Sequence, residues 1–380
     1  MIQLRRITST GKFVPEIDGL RFIAIASVVL YHFHGFVQGE GPREEGTDAL
    51  RTIAEHGYRG VNLFYVISGF ILGVPFAEHR LRGQPPVSLP RYFLRRLTRL
   101  EPPYVLNLLF CAALLLATGS SIAIWLPHFA ASAFYVHNIW YGEQSLINPV
   151  AWSLEIEVQF YCLAPLLAVL FSIRSRFWRR AVLLGLTLLI GMIQLHYWDA
   201  TPRFKLSILF AIQFFLIGFL MSDIYLVDLR QRSQRKYQWD LVAIAGWLIL
   251  FGLEDRQVWV ALPFLALTVY MAAFRGVLMN RIFTNGLVVT IGGMCYSIYL
   301  FHYVLIPPVL RLTANLLVGD PVGLRLATRA SAYLSVLLAI SCGYFVLVER
   351  PCMSKEWPKR ALAWLTKFRR SSVALKPDAS

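Results

Sequence analysis

Residues 17–37 read IDGLRFIAIASVVLYHFHGFV, an apolar run that also holds Asp18, Arg21 and His32. As a helix, such a run matches the roughly 20 residues needed to cross about 30 Å of hydrocarbon. Soluble domains have no use for so long an apolar stretch. A membrane span, in turn, carries an arginine and an imidazole only at a cost.

Similar runs recur along all 380 residues, of which 57% are hydrophobic and 16% charged, with a mean hydropathy of +0.54. The pattern predicts an all-α, polytopic transmembrane bundle of about ten spans, near 17–37, 58–78, 102–119, 149–172, 180–198, 204–225, 239–253, 256–274, 287–309 and 327–349. The seventh, Trp239 to Leu253, is short, and Ile122 to Val136 reads as an interfacial or re-entrant segment. The expected division is a transmembrane domain over 1–350 and a basic cytoplasmic tail over 351–380, partly disordered where it turns polar after Arg369. The first span lacks a cleavage site and is expected to be retained rather than removed as a signal peptide.

A net charge of +15 would suit nucleic acid, but the basic residues sit in short clusters between apolar runs. That distribution orients a multi-spanning protein instead, and no nucleic-acid partner is expected. With the N-terminus in the cytoplasm, inner segments hold roughly three times as many Lys and Arg as outer ones, which puts both termini inside. Arg59 falls in the outer set, Arg179 and Arg180 in the inner. Cys111, Cys162, Cys295 and Cys342 lie in apolar runs and Cys352 in the tail, with no CxxC pair. Neither a disulfide framework nor a metal site is expected.

An ionisable side chain within a span costs roughly 2.5–3.5 kcal/mol on insertion scales, so it usually faces the protein interior. Arg21 and His32 are eleven residues apart, three helical turns plus about 20°, so they share a face with an axial offset of about 16 Å. Asp18 stands one turn before Arg21 on that face. His32 is either a general base for a hydroxyl or a packed histidine bonded to a neighbouring helix. In the second span, Ser68 and Gly69 allow close helix approach, and Ser68 also suits a supporting hydrogen bond near His32.

Arg95, Arg96 and Arg99 cluster at the cytoplasmic start of the third span. Such a cluster either marks topology against anionic lipid or forms a phosphate site. In the fourth span Glu155 and Glu157 are about 200° apart and cannot face one site. Ser153, Glu157 and Tyr161 form one polar stripe, Glu155 and Gln159 another. Glu155 reads as a helix-end acid near water. Glu157 reads either that way or as a carboxylate that orients an imidazole or binds a sugar hydroxyl. His302, in the outer half of the ninth span, either assists an acceptor or sits among interfacial aromatics. Glu349, beside Arg350, is expected to pair with the arginine cluster.

Together these segments resemble the acyltransferase-3 family of bacterial membrane-bound carbohydrate O-acyltransferases, over almost the whole chain. Arg21 and His32 match its arginine and histidine with ten residues between them. Phe64 to Phe70 resembles F-[FY]-x-x-S-G-F, and Arg95, Arg96 and Arg99 with Pro103 and Tyr104 resemble R-R-x-x-R-x-x-P-x-Y. Trp152 to Tyr161 matches W-S-L-x-x-E-x-Q-F-Y, Tyr296 to His302 resembles Y-S-x-Y-L-x-H, and Glu349-Arg350-Pro351 its closing E-R-P. Glu101 departs from a usually apolar position, and Glu155 is an added acid. No segment resembles the extracytoplasmic hydrolase-like domain of some members, so the chain is expected to act alone.

The resemblance implies transfer of an acyl group, often acetyl, from cytoplasmic acyl-CoA to a glycan hydroxyl at the bacterial cytoplasmic (inner) membrane. Acyl-CoA serves as donor substrate, and no permanently bound cofactor or metal is expected. Arg21, Arg95, Arg96 and Arg99 would hold the CoA phosphates. His32, oriented by Glu157, would be the base, with an acyl-histidine relay as variant. Ser68, Tyr104, Trp152, Tyr161, Ser297 and His302 would line the substrate pocket. The competing class is a transporter or flippase without acyl transfer, which ten spans with buried charge also describe.

Overall fold

A computed structural model describes residues 4–7, 13–39, 48–230, 234–316, 321–354 and 356–357. The chain is all-α, with no strand among the described residues. The longer helices are α1 (Pro15–Gly39), α2 (Gly60–Arg82), α3 (Leu89–Ala117), α4 (Ile122–Ala133), α5 (Trp152–Leu167), α6 (Arg176–His196), α7 (Ile212–Ile224), α8 (Tyr237–Gly252), α9 (Leu262–Arg275), α10 (Gly286–Gly293), α11 (Cys295–Leu312) and α12 (Val322–Tyr344). Residues 358–380, most of the expected tail, lie outside the described residues.

Eight helices among the described residues are long and apolar enough to cross a membrane: α1, α2, α3, α5, α6, α7 with its following π-helical turn, α11 and α12. This is a multi-pass membrane protein. Helices α8 and α9, where the seventh and eighth spans were expected, are apolar but only 16 and 14 residues long. The 12-residue α4 occupies the segment expected not to span. The ninth expected span is not continuous, because the chain breaks at Met294 between α10 and α11. Just before the break, α10 lies so close to α1 that a Cβ on Gly292 would sit 1.8 Å from the Asp18 carbonyl oxygen. Only glycine permits that approach.

Helix α7 is buried on every side from Gln213 to Asp223, as the apolar run Phe214–Met221 requires of a central helix. It crosses α2 at two glycines. A Cβ on Gly69 would lie 2.3 Å from the Phe215 carbonyl oxygen, and one on Gly218 would lie 2.3 Å from that of Val66. Small residues let the backbones touch, and dispersion then holds the pair where the solvent offers no hydrophobic drive. Gly69→Val is therefore expected to cost about 1–3 kcal/mol or more by overpacking. Thermal unfolding in detergent should show a lowered midpoint, and an unchanged one would contradict the crossing.

Buried ion pairs pin the ends of these helices. Arg59 is not the solvated outer cation the charge pattern suggested. It is 1% exposed and donates to Asp255 Oδ1 (2.6 and 2.9 Å) and to the carbonyls of Leu250 and Leu253 (2.5 Å each). The start of α2 is thereby tied to the α8–α9 connection. Between α6 and α7, Asp223 accepts from Arg179 (2.5 Å) and Arg180 (2.6 Å).

Candidate active site

Helices α1, α2, α3, α5, α10 and α11, with the π-helical turn Phe345–Glu349 after α12, line a cavity of about 110 Å³. On α5 the helical period carries Ser153, Glu157 and Tyr161 into it together. Glu157 Oε1 accepts from Ser68 Oγ (2.6 Å) and from the Tyr161 hydroxyl (2.7 Å). Ser68 thus bonds to a carboxylate across the α2–α5 contact, and Gly69 beside it makes the α7 contact. The opposite stripe of α5 is structural. Glu155 accepts the Asn138 N–H (2.8 Å), and Gln159 accepts the Ile208 N–H (3.1 Å). Glu155 is not near water as expected but fully buried, because His137–Tyr141 folds back over the start of α5.

Three guanidinium groups from two helices line the same cavity: Arg21 of α1, and Arg96 and Arg99 of α3. Arg21 donates to Asp18 (3.0 Å), which also accepts from Arg6 (2.7 Å). Arg6, ahead of the first span, is pushed down to about 10, first by burial and then by the charge of Arg21. Arg96 lies over the Tyr161 ring at 5.6 Å and the Tyr92 ring at 5.9 Å. Neither Arg96 nor Arg99 makes an ion pair within 4.0 Å among the described residues. Arg95 stays exposed, outside the cavity lining.

Glu349 also lines this cavity, where its charge acts on Arg99 and Arg21, but its direct bonds are to Ser297, with no arginine within 4.0 Å among the described residues. Its Oε2 accepts Ser297 Oγ (2.5 Å) and the Ser297 N–H (3.1 Å). The first turn of α11 leaves N–H groups without intrahelical partners, and a carboxylate is favoured there.

His32 lies elsewhere. It lines a second, open cavity of about 450 Å³ with Tyr31, Gly35, Phe36, Gly39 and Tyr303. Its ring is 5.2 Å from that of His302 and 5.0 Å from that of Tyr303. Glu157, committed to Ser68 and Tyr161, does not orient it in this structure. Val28, one turn earlier on α1, still lines the arginine cavity, so α1 passes from one cavity to the other within a single turn. His302 is fully buried, with Nδ1 2.8 Å from the Tyr299 carbonyl oxygen. A carbonyl only accepts, so Nδ1 carries the proton, and the buried Nε2 is left without a partner.

The remaining expected pocket residues divide. Tyr161 and Ser68 line the arginine cavity. Trp152 lines a third cavity, beside α2 and α5. Tyr104 is buried against Tyr135, with its hydroxyl 3.3 Å from the Ser132 carbonyl oxygen, and Ser297 lies beneath Glu349.

The family model described as "Acyltransferase domain" matches residues 14–349, which takes in every cavity-lining residue named above but not Arg6. The chain belongs to the acyltransferase-3 family. It is 27% identical over 330 residues to a Staphylococcus aureus strain COL protein that carries the provisional name O-acetyltransferase, covering 78% of this chain and 51% of that protein. It is 26% identical over 326 residues to O-acetyltransferase OatA of S. aureus strain NCTC 8325, with the same coverage. The chain thus spans about half the length of the curated relatives it matches. No solved structure matches it.

In this acyltransferase-3 chain, sequence reasoning missed Tyr65 and Arg6. Tyr65 is 3% exposed, and its hydroxyl has no partner where it lines both the arginine cavity and the third one. Its aromatic neighbours in the sequence hid it. Arg6 joins the arginine cluster only through the fold of the N-terminal segment onto Asp18.

Proposed function

We propose that this protein is an O-acyltransferase of the bacterial cytoplasmic membrane. It moves an acyl group, in the first instance acetyl, from cytoplasmic acyl-CoA to a hydroxyl of a cell-surface or lipid-linked glycan. The supporting observation is the convergence of Arg21, Arg96 and Arg99 on one cavity, two of them without a carboxylate oxygen within 4.0 Å among the described residues. Unpaired, partly buried guanidinium groups favour a multiply charged phosphate ligand.

The CoA phosphates sit at these arginines, and the pantetheine arm follows α1 toward Val28. The acceptor hydroxyl attacks the thioester carbon, a C–O bond forms, and the C–S bond breaks. His32 takes the hydroxyl proton and returns it to the departing thiolate. His302, whose ring is 5.2 Å from that of His32, positions it by packing. Glu157, Ser68 and Tyr161 hold α5 against α2 along the arm and keep Arg96 under Tyr161.

Arg99→Gln removes one charge-assisted contact, worth about 1.5–3 kcal/mol, and should raise KM for acetyl-CoA at least about tenfold with little change in kcat. Transfer of labelled acetyl groups by the purified protein is the measurement. An unchanged KM would overturn the phosphate assignment. A wild-type protein that neither binds nor turns over acetyl-CoA would overturn the function.

A further inference from the structure

The third cavity, of about 250 Å³, lies between α2, α5 and the α8–α9 connection, and nothing in the donor half of the site uses it. Its lining includes the aromatic residues Tyr58, Trp152, Trp198 and Trp259. Its polar groups are Asn62, Gln144, Lys205 and Asp255. Flat ring faces beside amide, carboxylate and ammonium groups suit a pyranose. The C–H face of the sugar lies on an aromatic ring, and its hydroxyls bridge the polar groups. The volume leaves room for a sugar ring.

The charges narrow the class. Asp255 is already matched by Arg59 and also accepts from the Tyr58 hydroxyl. Lys205, half-buried with its ammonium 5.6 Å from the Trp198 ring, makes no ion pair among the described residues. The cavity therefore carries one uncompensated positive charge.

Its position is equally specific. Tyr65 and Val61 line both this cavity and the arginine cavity, and the Tyr65 hydroxyl is buried without a partner at that shared wall. On another side, the Tyr58 ring is 5.4 Å from Tyr31, whose ring is 4.9 Å from His32. A ligand held here borders the donor cavity directly, and Tyr58 and Tyr31 stand between it and the imidazole.

We propose that this cavity is the acceptor subsite and that it takes a pyranose bearing an anionic group, held by Lys205. The anion is either a carboxylate on the ring or a phosphate on its anomeric oxygen, as in a lipid-linked sugar. The proposal rests on the acyltransferase reading for its reaction, but not for its binding. The transfer is the one given above: the sugar hydroxyl oxygen replaces the CoA sulfur on the acyl carbon, and the proton ends on the thiol.

The test is calorimetric binding to the purified full chain in detergent at low salt, with CoA present. The probes are methyl glucuronide, glucose 1-phosphate and neutral methyl glucoside. The anionic sugars should bind at least about tenfold more tightly than the neutral one, as one charge-assisted contact predicts. Whichever of the two binds tighter names the source of the anion. Lys205→Gln should bring all three to the neutral level while CoA binding is unchanged, and Trp198→Ala should weaken all three together. Equal binding of the three sugars, a preference that survives Lys205→Gln, or no sugar binding by a protein that still binds CoA would each overturn the subsite. Loss of CoA binding with the sugar preference intact would strike the donor assignment alone.

Discussion

His32→Ala should lower kcat for acyl transfer by roughly 10²- to 10⁴-fold while leaving KM for acetyl-CoA within a factor of about three. The split follows from where the residue stands. Phosphate recognition belongs to Arg21, Arg96 and Arg99, which line a cavity that α1 leaves one turn before His32. Removing the imidazole takes away the base and touches no donor contact. The ring is half-buried among Tyr31, His302 and Tyr303 and holds no ion pair among the described residues, so its truncation should leave the bundle folded. Transfer of labelled acetyl groups by reconstituted protein, with thermal unfolding as the folding control, gives both numbers. Incubation with labelled acetyl-CoA in the absence of acceptor separates the two chemistries. Label retained on wild-type protein and lost on the variant indicates an acyl-histidine relay, and no retained label indicates direct attack. Turnover within a few-fold of wild type in a correctly folded variant would sink both.

Local helical geometry was legible in the sequence. The 100° step placed Ser153, Glu157 and Tyr161 on one face of α5 and Glu155 on the other, and the structure keeps that division. It likewise put Arg21 and His32 on one face of α1. What the period of one helix does not contain is how its neighbours partition the space beside it. Tyr299 and His302 arrive from α11, far along the chain, and the shared face of α1 ends up serving two cavities. Hydropathy averages over a window and so passed over the break at Met294, which follows from contact between Gly292 and the backbone at Asp18. Charge counting treated Arg59, Arg179 and Arg180 as topology signals. Their carboxylate partners, Asp255, Asp223 and Asp228, stand tens to hundreds of residues away, and no short-range pattern announces such pairs.

The second large effect is expected at one of those pairs. Asp223 is fully buried near the end of α7, with Oδ2 on Arg179 Nε at 2.5 Å and Oδ1 on Arg180 Nε at 2.6 Å. Arg179 is 3% exposed and also donates to the Ile173 carbonyl at 2.8 Å, so it cannot turn to water when its partner is lost. Asp223→Ala leaves that guanidinium buried and uncompensated, which costs about 3–5 kcal/mol. Without Arg180, whose side chain is 22% exposed, Asp223 keeps Arg179 and Asp228 keeps Arg176 at 3.1 Å, so Arg180→Met should be milder. The consequence reaches the candidate site, because α7 is the central helix and its Gly218 seats Gly69, next to Ser68 on Glu157. Thermal unfolding should therefore place Asp223→Ala well below wild type and Arg180→Met between them. The double variant Asp223→Leu with Arg179→Met should recover much of the loss, since an apolar pair of similar volume removes the unpaired charge rather than exposing it. If Asp223→Ala instead unfolds with the wild type, the buried pair does not hold α6 to α7, and the α2–α7 crossing alone carries the central packing.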